Sequence, residues 1–132
     1  MTIVDSSVWI NYFNGDISAK TDRLDRLLMD GKAQLLDIIL AEVLQGFNHE
    51  HDFNTALHLM ETVPCYSSTS KALAIQSARY YRHLRKHGIT IRKTIDMFIA
   101  TWCIEQQALL LENDRNFRHI ASVLPLQIIE FS

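Results

Sequence analysis

Apolar positions in this chain form two kinds of pattern that alternate along it. Short, largely apolar runs predict strands at 2–4, 33–36, 63–66, 108–111 and 126–131, the last of them at an edge of the sheet. Between them, apolar residues recur every three or four positions, as in amphipathic helices. Such alternation predicts a parallel sheet with helices on both faces. We therefore expect an α/β fold of three layers, with a central parallel sheet flanked by helices, formed by a single domain over 1–132.

Residues that start or stop helices set the bounds of the predicted helices. The candidate caps are Ser6 or Ser7, Asp37 and Thr94, and the closing glycines are Gly31 and Gly88. Beyond a first helix after the caps at 6 or 7, the predicted helices span 21–29, 37–47, 53–61, 70–87 and 117–123. One more helix starts at Thr94, and its predicted inward face is Ile95, Phe98, Ile99, Trp102 and Cys103.

Composition narrows the class of protein. Apolar residues make up 48% of the 132 residues, which indicates a globular chain with a real core. No apolar run reaches the length of a membrane span, and no charged-then-apolar leader precedes the first strand. We therefore expect a soluble, cytoplasmic protein with no membrane partner. Cys65 and Cys103 stand far apart in apolar surroundings, which indicates core residues rather than a disulfide or a zinc site.

Four acidic residues, Asp5, Glu42, Asp96 and Asp114, lie where predicted strands or helices begin or end. Each has an ordinary interpretation alone: a turn or capping acid, a solvated helix acid, or an acid favoured by the helix dipole in a first turn. Asp5 and Asp114, however, both follow strands, at the sheet edge where α/β folds bind ligands. Four carboxylates that converge there would repel one another and would favour a hard divalent cation.

The four acids lie in four short motifs. The motifs are Ile3-Val4-Asp5-Ser6-Ser7, Ala41-Glu42-Val43-Leu44-Gln45-Gly46, Thr94-Ile95-Asp96-Met97-Phe98-Ile99-Ala100 and Asn113-Asp114-Arg115-Asn116-Phe117. In order, in spacing and over the length of the chain, this pattern resembles the PIN-domain ribonucleases, and among them the VapC-type toxins of toxin–antitoxin pairs. The resemblance implies a PIN-like (Rossmann-like) fold.

The resemblance also implies an activity and a site. It implies an endoribonuclease that uses Mg²⁺ or Mn²⁺ and leaves 5′-phosphate and 3′-hydroxyl ends. Asp5, Asp96 and Asp114 match metal ligands, Glu42 matches an acid that binds through water or orients the attacking water, and Ser7 supports the first Asp. Asn116 departs from the pattern, because many relatives carry a second acid there. The implied partners are RNA, a small VapB-like antitoxin and a second copy of the chain.

The basic residues are concentrated in one part of the chain despite the net charge of −2. Six of the 13 Lys and Arg residues fall within fifteen positions: Arg79, Arg82, Arg85, Lys86, Arg92 and Lys93. Those at helical spacing form one face, which either contacts RNA phosphates or is a solvated face that balances the acids. The run from His49 to Asp52 resembles a metal motif, but it lacks the His-Glu-x-x-His spacing and is expected in a polar loop.

Two other functions stay open at this point. A PIN-like module that has lost activity could serve in binding or regulation, and Asn116 is the residue that favours it. A Rossmann-like phosphotransferase or phosphatase could use Asp5 as its nucleophile. Against this second alternative, the chain has no glycine-rich phosphate loop, and the stretch after Asp5 has no second Asp to act as an acid.

Overall fold

The computed structural model describes residues 1–131, and over this range strands and helices alternate along the chain. The strands are β1 (Thr2–Val4), β2 (Ala33–Leu36), β3 (Cys65–Tyr66), β4 (Leu109–Leu111) and β5 (Gln127–Ile128). The helices are α1 (Ser6–Phe13), α2 (Ala19–Met29), α3 (Asp37–Gln45), α4 (Glu50–Met60), α5 (Lys71–Lys86), α6 (Thr94–Gln106) and α7 (Arg115–Ala121).

The five strands form one parallel sheet in the order β3-β2-β1-β4-β5. The chain moves outward from β1 through β2 to β3 and then returns to the other side of β1 with β4. The direction of winding therefore reverses between β1 and β4. The Asp5 amide donates to the Leu111 carbonyl at 2.9 Å, which joins β1 and β4 at their carboxyl ends. In open α/β sheets, this reversal at the carboxyl ends of the strands opens a crevice for ligands.

The core lies between the sheet and the flanking helices, as the predicted three-layer α/β fold requires. Ile3, Val4, Leu110 and Leu111 are fully buried in the two central strands. Trp9 is also fully buried, and its indole N–H donates to the Val4 carbonyl at 3.1 Å. Such a bond satisfies the polar end of a large apolar side chain, so α1 is fixed against β1 directly beside Asp5.

Several predicted bounds need correction at the helix starts. Asp5, not Ser6 or Ser7, caps α1, because its side chain accepts from the Ser7 amide. Lys93 occupies the cap position of α6, so Thr94 is the first helical residue rather than the cap. Asp37 is likewise the first residue of α3, because Leu36 occupies the cap position. α4 begins at Glu50 and α7 at Arg115, both earlier than predicted. These starts were missed because polar residues in a first turn interrupt the apolar pattern.

Two predictions of burial are wrong. Ile95 is 40% exposed although it was expected on the inward face of α6. It lies in the first turn of that helix, before the buried stretch from Asp96 to Cys103. Cys65 is exposed, since β3 is a two-residue edge strand, whereas Cys103 is buried as expected. In the described range, the helices are too short or too polar to cross a membrane.

Candidate active site

The four predicted acids are carried by four elements around the crevice between β1 and β4. Asp5 follows β1 and caps α1, and Asp114 caps α7 a few residues after β4. Asp96 lies in the first turn of α6, and Glu42 lies in the second turn of α3. Asp5 and Asp96 are almost completely buried, and the other two are half-buried. Asp5, Asp96 and Asp114 thus stand at the ends of their elements, whereas Glu42 lies near the middle of α3.

Asn116 links two of these acids directly. Its side-chain amide donates to Asp96 Oδ2 at 3.2 Å, and its backbone amide donates to Asp114 Oδ1 at 2.9 Å. The residue that departs from the family pattern therefore lies between the carboxylates of α6 and α7. It supplies hydrogen-bond donors at a place where a second acid would add negative charge.

Ser7 supports Asp5 from the first turn of α1. The Ser7 hydroxyl and amide both donate to Asp5 Oδ2, at 2.7 and 3.1 Å. The same hydroxyl accepts from the Asn113 amide at 3.0 Å. Ser7 thus connects the ends of β1 and β4, and it fixes one oxygen of the Asp5 carboxylate.

Burial and nearby negative charges raise the pKa of Asp5, Glu42 and Asp96. Burial is the main cause that raises the pKa of Asp5 from 3.8 to about 7, while the Ser7 hydrogen bonds lower it and the charges of Asp96 and Glu42 raise it further. Burial and the Asp114 charge raise the pKa of Asp96, against the hydrogen bond from Asn116. The acids are therefore close enough to influence one another, which is the electrostatic signature of a charged site.

Glu42 and Lys93 complete the cluster. The pKa of Glu42 is raised first by burial and then by the charges of Asp96 and Asp114, while Ser6 and Lys93 lower it. Lys93 also lowers the pKa of Asp96. Lys93 is the exposed residue that caps α6, so it holds a positive charge at the rim of the acidic group.

Among the residues that the structure describes, two buried carboxylate oxygens in the cluster have no hydrogen-bond partner. They are Asp5 Oδ1 and Glu42 Oε1. An unpaired buried carboxylate oxygen is costly, and a cation is the partner that such oxygens most readily accept. Within residues 1–131, no group of three or more His, Cys, Asp or Glu side chains is placed to hold a metal ion. The acids therefore influence one another electrostatically without forming a ready set of metal ligands.

The six predicted basic residues are all exposed. Arg82 and Arg85 line a cleft of about 520 Å³ between α5 and α6, together with Thr94 at the start of α6. The carboxyl-terminal half of α5 therefore packs beside the helix end that carries Asp96. The run from His49 to Asp52, by contrast, is exposed at the start of α4 rather than in the expected loop.

The sequence argument did not identify Glu112, which is 3% exposed and directly follows β4. It accepts from the Asp114 amide at 2.7 Å and pairs with Arg118 at 3.0 Å. Glu112 could have been recognised in the sequence, because an acid directly after the run Leu109-Leu110-Leu111 is in the same topological position as Asp5.

Comparison with known proteins adds a family and a fold. A family model for the PIN domain matches residues 2–123. The VapC ribonuclease Mb1587 of Mycobacterium bovis is 28% identical over 133 residues, with 99% of each chain covered.

Solved structures agree in fold at lower identity. The structure of VapBC2 from Rickettsia felis bound to a DNA fragment from their promoter aligns with a TM-score of 0.78 and 16% identity, over 99% of this chain and 98% of that one. VapBC-1 from nontypeable Haemophilus influenzae aligns with a TM-score of 0.71 and 21% identity, over 98% and 96%. The predicted parallel α/β fold is thereby confirmed.

Proposed function

The chain belongs to the PIN domain family, and from this premise we propose that it is a metal-dependent endoribonuclease that acts as the toxin of a toxin–antitoxin pair. A curated relative that matches over the full length is named a VapC ribonuclease. The observation in this chain that carries the proposal is the pair of buried, unpartnered oxygens, Asp5 Oδ1 and Glu42 Oε1, within one acidic cluster.

The two unpartnered carboxylate oxygens favour a divalent ion, although among residues 1–131 no three acids are already placed as its ligands. Asp5, Asp96 and Asp114 would hold Mg²⁺ or Mn²⁺, since carboxylate oxygens are the ligands that these hard cations prefer. Bound there, the ion supplies stabilisation of charge on the phosphodiester and makes water a better nucleophile. Asn116 adds a neutral amide where many relatives have an acid, so the protein contributes fewer negative charges to the ion.

The chain's own side chains have further roles in the proposed reaction. Hydrolysis forms a bond from a water oxygen to phosphorus and breaks the bond to the 3′ oxygen, leaving a 5′-phosphate. Glu42, in its ionised form, orients this water and accepts its proton, because a raised pKa makes the carboxylate a stronger base. The leaving 3′ oxygen takes up a proton from solvent and becomes the 3′-hydroxyl. Ser7 fixes Asp5 Oδ2 and leaves Oδ1 free. Lys93, at the rim, attracts the RNA phosphate.

The proposed partners follow from the relatives. Matching structures carry the name VapBC, so we propose that a small VapB-like antitoxin binds this chain and covers the acidic cluster. A guanidinium from the partner would satisfy carboxylates that lack an ion. We also propose a homodimer, which sedimentation of the isolated chain would reveal, and activity in the cytoplasm, where the RNA substrate is present.

The direct test replaces one proposed ligand. Asp96→Asn keeps the size of the side chain and removes the charge, so we expect cleavage of a structured RNA in Mg²⁺ or Mn²⁺ to fall by orders of magnitude. Thermal stability without metal should be unchanged or higher, because burial and Asp114 disfavour the charge at Asp96.

Asp52→Asn is the matched control for this test. Asp52 is also the third residue of a helix, but it is exposed on α4. It should keep full activity and lose at most about 1 kcal/mol of stability through the helix dipole. Activity like wild type in Asp96→Asn would remove its role as a ligand, and cleavage that resists EDTA would refute the metal mechanism.

An inactive binding module remains the second candidate, and Asn116 is the observation that favours it. The Asn116 amide occupies Asp96 Oδ2, an oxygen that a ligand role would use. The same assay separates the two functions. If purified wild-type protein cleaves no RNA in either metal but binds it, the module without activity is the better description.

A further inference from the structure

Glu112 is a fifth acid at the carboxyl edge of the sheet, outside the family motifs. It follows β4 directly and is 3% exposed. A carboxylate at this depth is unfavourable unless its oxygens have donors. Its hydrogen bonds therefore show what the residue does in the fold.

Both oxygens of Glu112 are satisfied by donors of the protein. Oε2 accepts from the Asp114 amide at 2.7 Å and from Arg118 Nη1 at 3.0 Å, and Oε1 accepts from Arg118 Nη1 at 3.1 Å. This differs from Asp5 Oδ1 and Glu42 Oε1, which are buried without a partner. Glu112 is thus already paired, and it is not a spare ligand for a cation.

The Glu112–Arg118 pair connects three parts of the site. Glu112 extends β4, its oxygen holds the amide of Asp114, and Arg118 belongs to α7. The first turn of α7 carries Asn116, whose amides contact both Asp114 and Asp96. A shift of α7 relative to β4 would therefore move the fourth acid and its neighbouring amide together.

We propose that Glu112 and Arg118 are positioning residues, which hold Asp114 and the start of α7 in the place where they complete the acidic cluster. This inference rests on the proposed function, because it concerns the geometry that a divalent ion would meet. Outer residues that orient ligands commonly change metal affinity by about 10- to 100-fold when they are replaced. Arg118 can pair with the buried Glu112 without a large cost of burial, because 51% of its own side chain stays exposed to solvent.

The test uses metal affinity and local protection as readouts. Arg118→Gln removes the charge partner at a half-exposed position, and Glu112→Gln keeps the shape of the buried side chain while removing its charge. Arg118→Lys is the conservative rescue, and Arg26→Gln is the control for charge, at an exposed arginine of α2. Mn²⁺ affinity is measured by electron paramagnetic resonance, and hydrogen exchange of the Asp114 amide by NMR on protein without metal.

We expect Mn²⁺ affinity to weaken by about 10- to 100-fold in Arg118→Gln and in Glu112→Gln. Exchange of the Asp114 amide should accelerate by about tenfold or more, since a charge-assisted hydrogen bond is lost or loosened. Arg118→Lys should recover most of the affinity, and Arg26→Gln should match wild type. A structural role alone would lower the melting temperature and leave the affinity of the folded protein unchanged, and this result would overturn the proposal.

Failure of the proposed function gives a different result. If wild-type protein binds no Mn²⁺ and cleaves no RNA, the metal mechanism fails, while the Asp114 amide still reports on the pair. Unchanged exchange of that amide in both Gln variants overturns the positioning role. Accelerated exchange that the Lys variant reverses supports it without any metal.

Discussion

At the residue scale, the two carboxylate oxygens of Asp5 have different surroundings, which would allow both of the roles that the sequence presented as alternatives. One carboxylate oxygen, Oδ2, caps α1 through the Ser7 amide and hydroxyl. The other, Oδ1, is buried without a partner. A capping acid therefore need not be only structural, because a carboxylate can use one oxygen to hold the helix and present the second to a ligand. The cost of the second oxygen should appear as a dependence of stability on pH.

The first prediction concerns stability without metal between about pH 4 and 7. Burial raises the pKa of Asp5 from 3.8 to about 7, so in this range the folded chain retains a proton that the unfolded chain has released. The free energy of unfolding therefore falls as pH rises. A rise of this size corresponds to about 4 kcal/mol. Asp5→Asn cannot ionise, and its stability relative to wild type should increase over the same range in urea unfolding with EDTA.

Saturating Mg²⁺ provides the control for the Asp5 comparison. An ion that binds the folded state stabilises the ionised carboxylate, so the advantage of Asp5→Asn should shrink or reverse. If the stability difference between the two proteins does not change with pH in EDTA, burial does not raise the pKa of Asp5 as described above.

The sequence could propose site residues but not their hydrogen-bond partners. It could propose the four acids because each stands next to a recognisable strand or helix pattern. Glu112 has the same signal after β4, but its importance depends on Arg118, six residues later and on another element. Such a contact depends on the angle at which α7 packs against the sheet, and this packing angle cannot be read from one sequence.

At the element scale, the first turn of α7 determines how α6 and β4 meet at the site. Asp114 caps this helix, and Asn116 reaches from it to Asp96. The predicted helix began only at residue 117, because the Asn and Asp residues before it favour turns. A helix that begins at Arg115 instead aims the Asn116 side chain at α6. The departure from the family pattern is therefore a contact between two helices.

The second prediction tests this contact by Asn116→Asp. The new carboxylate removes a donor to Asp96 and adds a charge, so the protein without metal should lose stability, as judged by its melting temperature. With Mn²⁺ the same charge becomes a ligand, and affinity measured by electron paramagnetic resonance should rise. Asn116→Ala removes the donor without adding charge, and it should cost about 1 kcal/mol with no gain in affinity. A gain in affinity by the Ala variant as well would contradict this explanation.

The third prediction concerns the end of α6. Gln107 closes this helix with φ of 54° and ψ of 38°, a left-handed conformation that favours glycine. Its side chain is exposed, so Gln107→Gly should raise the free energy of unfolding by about 0.5 to 1 kcal/mol. Gln106→Gly, at the last residue of the helix and without a positive φ, should lower it by up to about 1 kcal/mol. Equal effects of the two changes in urea unfolding would contradict the conformational argument.

The prediction of elements succeeded where a pattern was local. β2 spans Ala33–Leu36 as predicted, since its apolar run is short and bounded. The inward face of α6 was only partly right, because Met97, Ala100 and Thr101 are buried as well. A helix enclosed by α5, α7 and the sheet does not have the one-sided pattern from which a face is read.

At the scale of the whole molecule, strand order creates the crevice, and the acidic and basic side chains occupy different parts of the fold. The order β3-β2-β1-β4-β5 brings the ends of β1 and β4 together although about a hundred residues separate them. A parallel sheet could be predicted from the alternation, but its order depends on which strands pack beside β1. The net charge of −2 likewise hides a division between a buried acidic cluster and an exposed basic face.

The last prediction uses this division of charge. In Asp96→Asn, which should bind RNA without cleaving it, the affinity for single-stranded RNA should fall with salt concentration. The logarithmic slope reports how many phosphates are neutralised, at about 0.7 per contact for a single strand. Arg82 and Arg85 line the cleft beside the start of α6, so replacing both with Gln should make the slope shallower by about 1.4.

The matched control replaces Arg26 and Lys32 with Gln. Both are exposed and come before β2 in the chain, at the amino end of that strand and away from the acidic cluster. This double change alters the net charge equally and should leave the slope unchanged. If the two double variants lose affinity equally, only bulk charge matters, and the face on α5 is a solvated surface rather than an RNA contact.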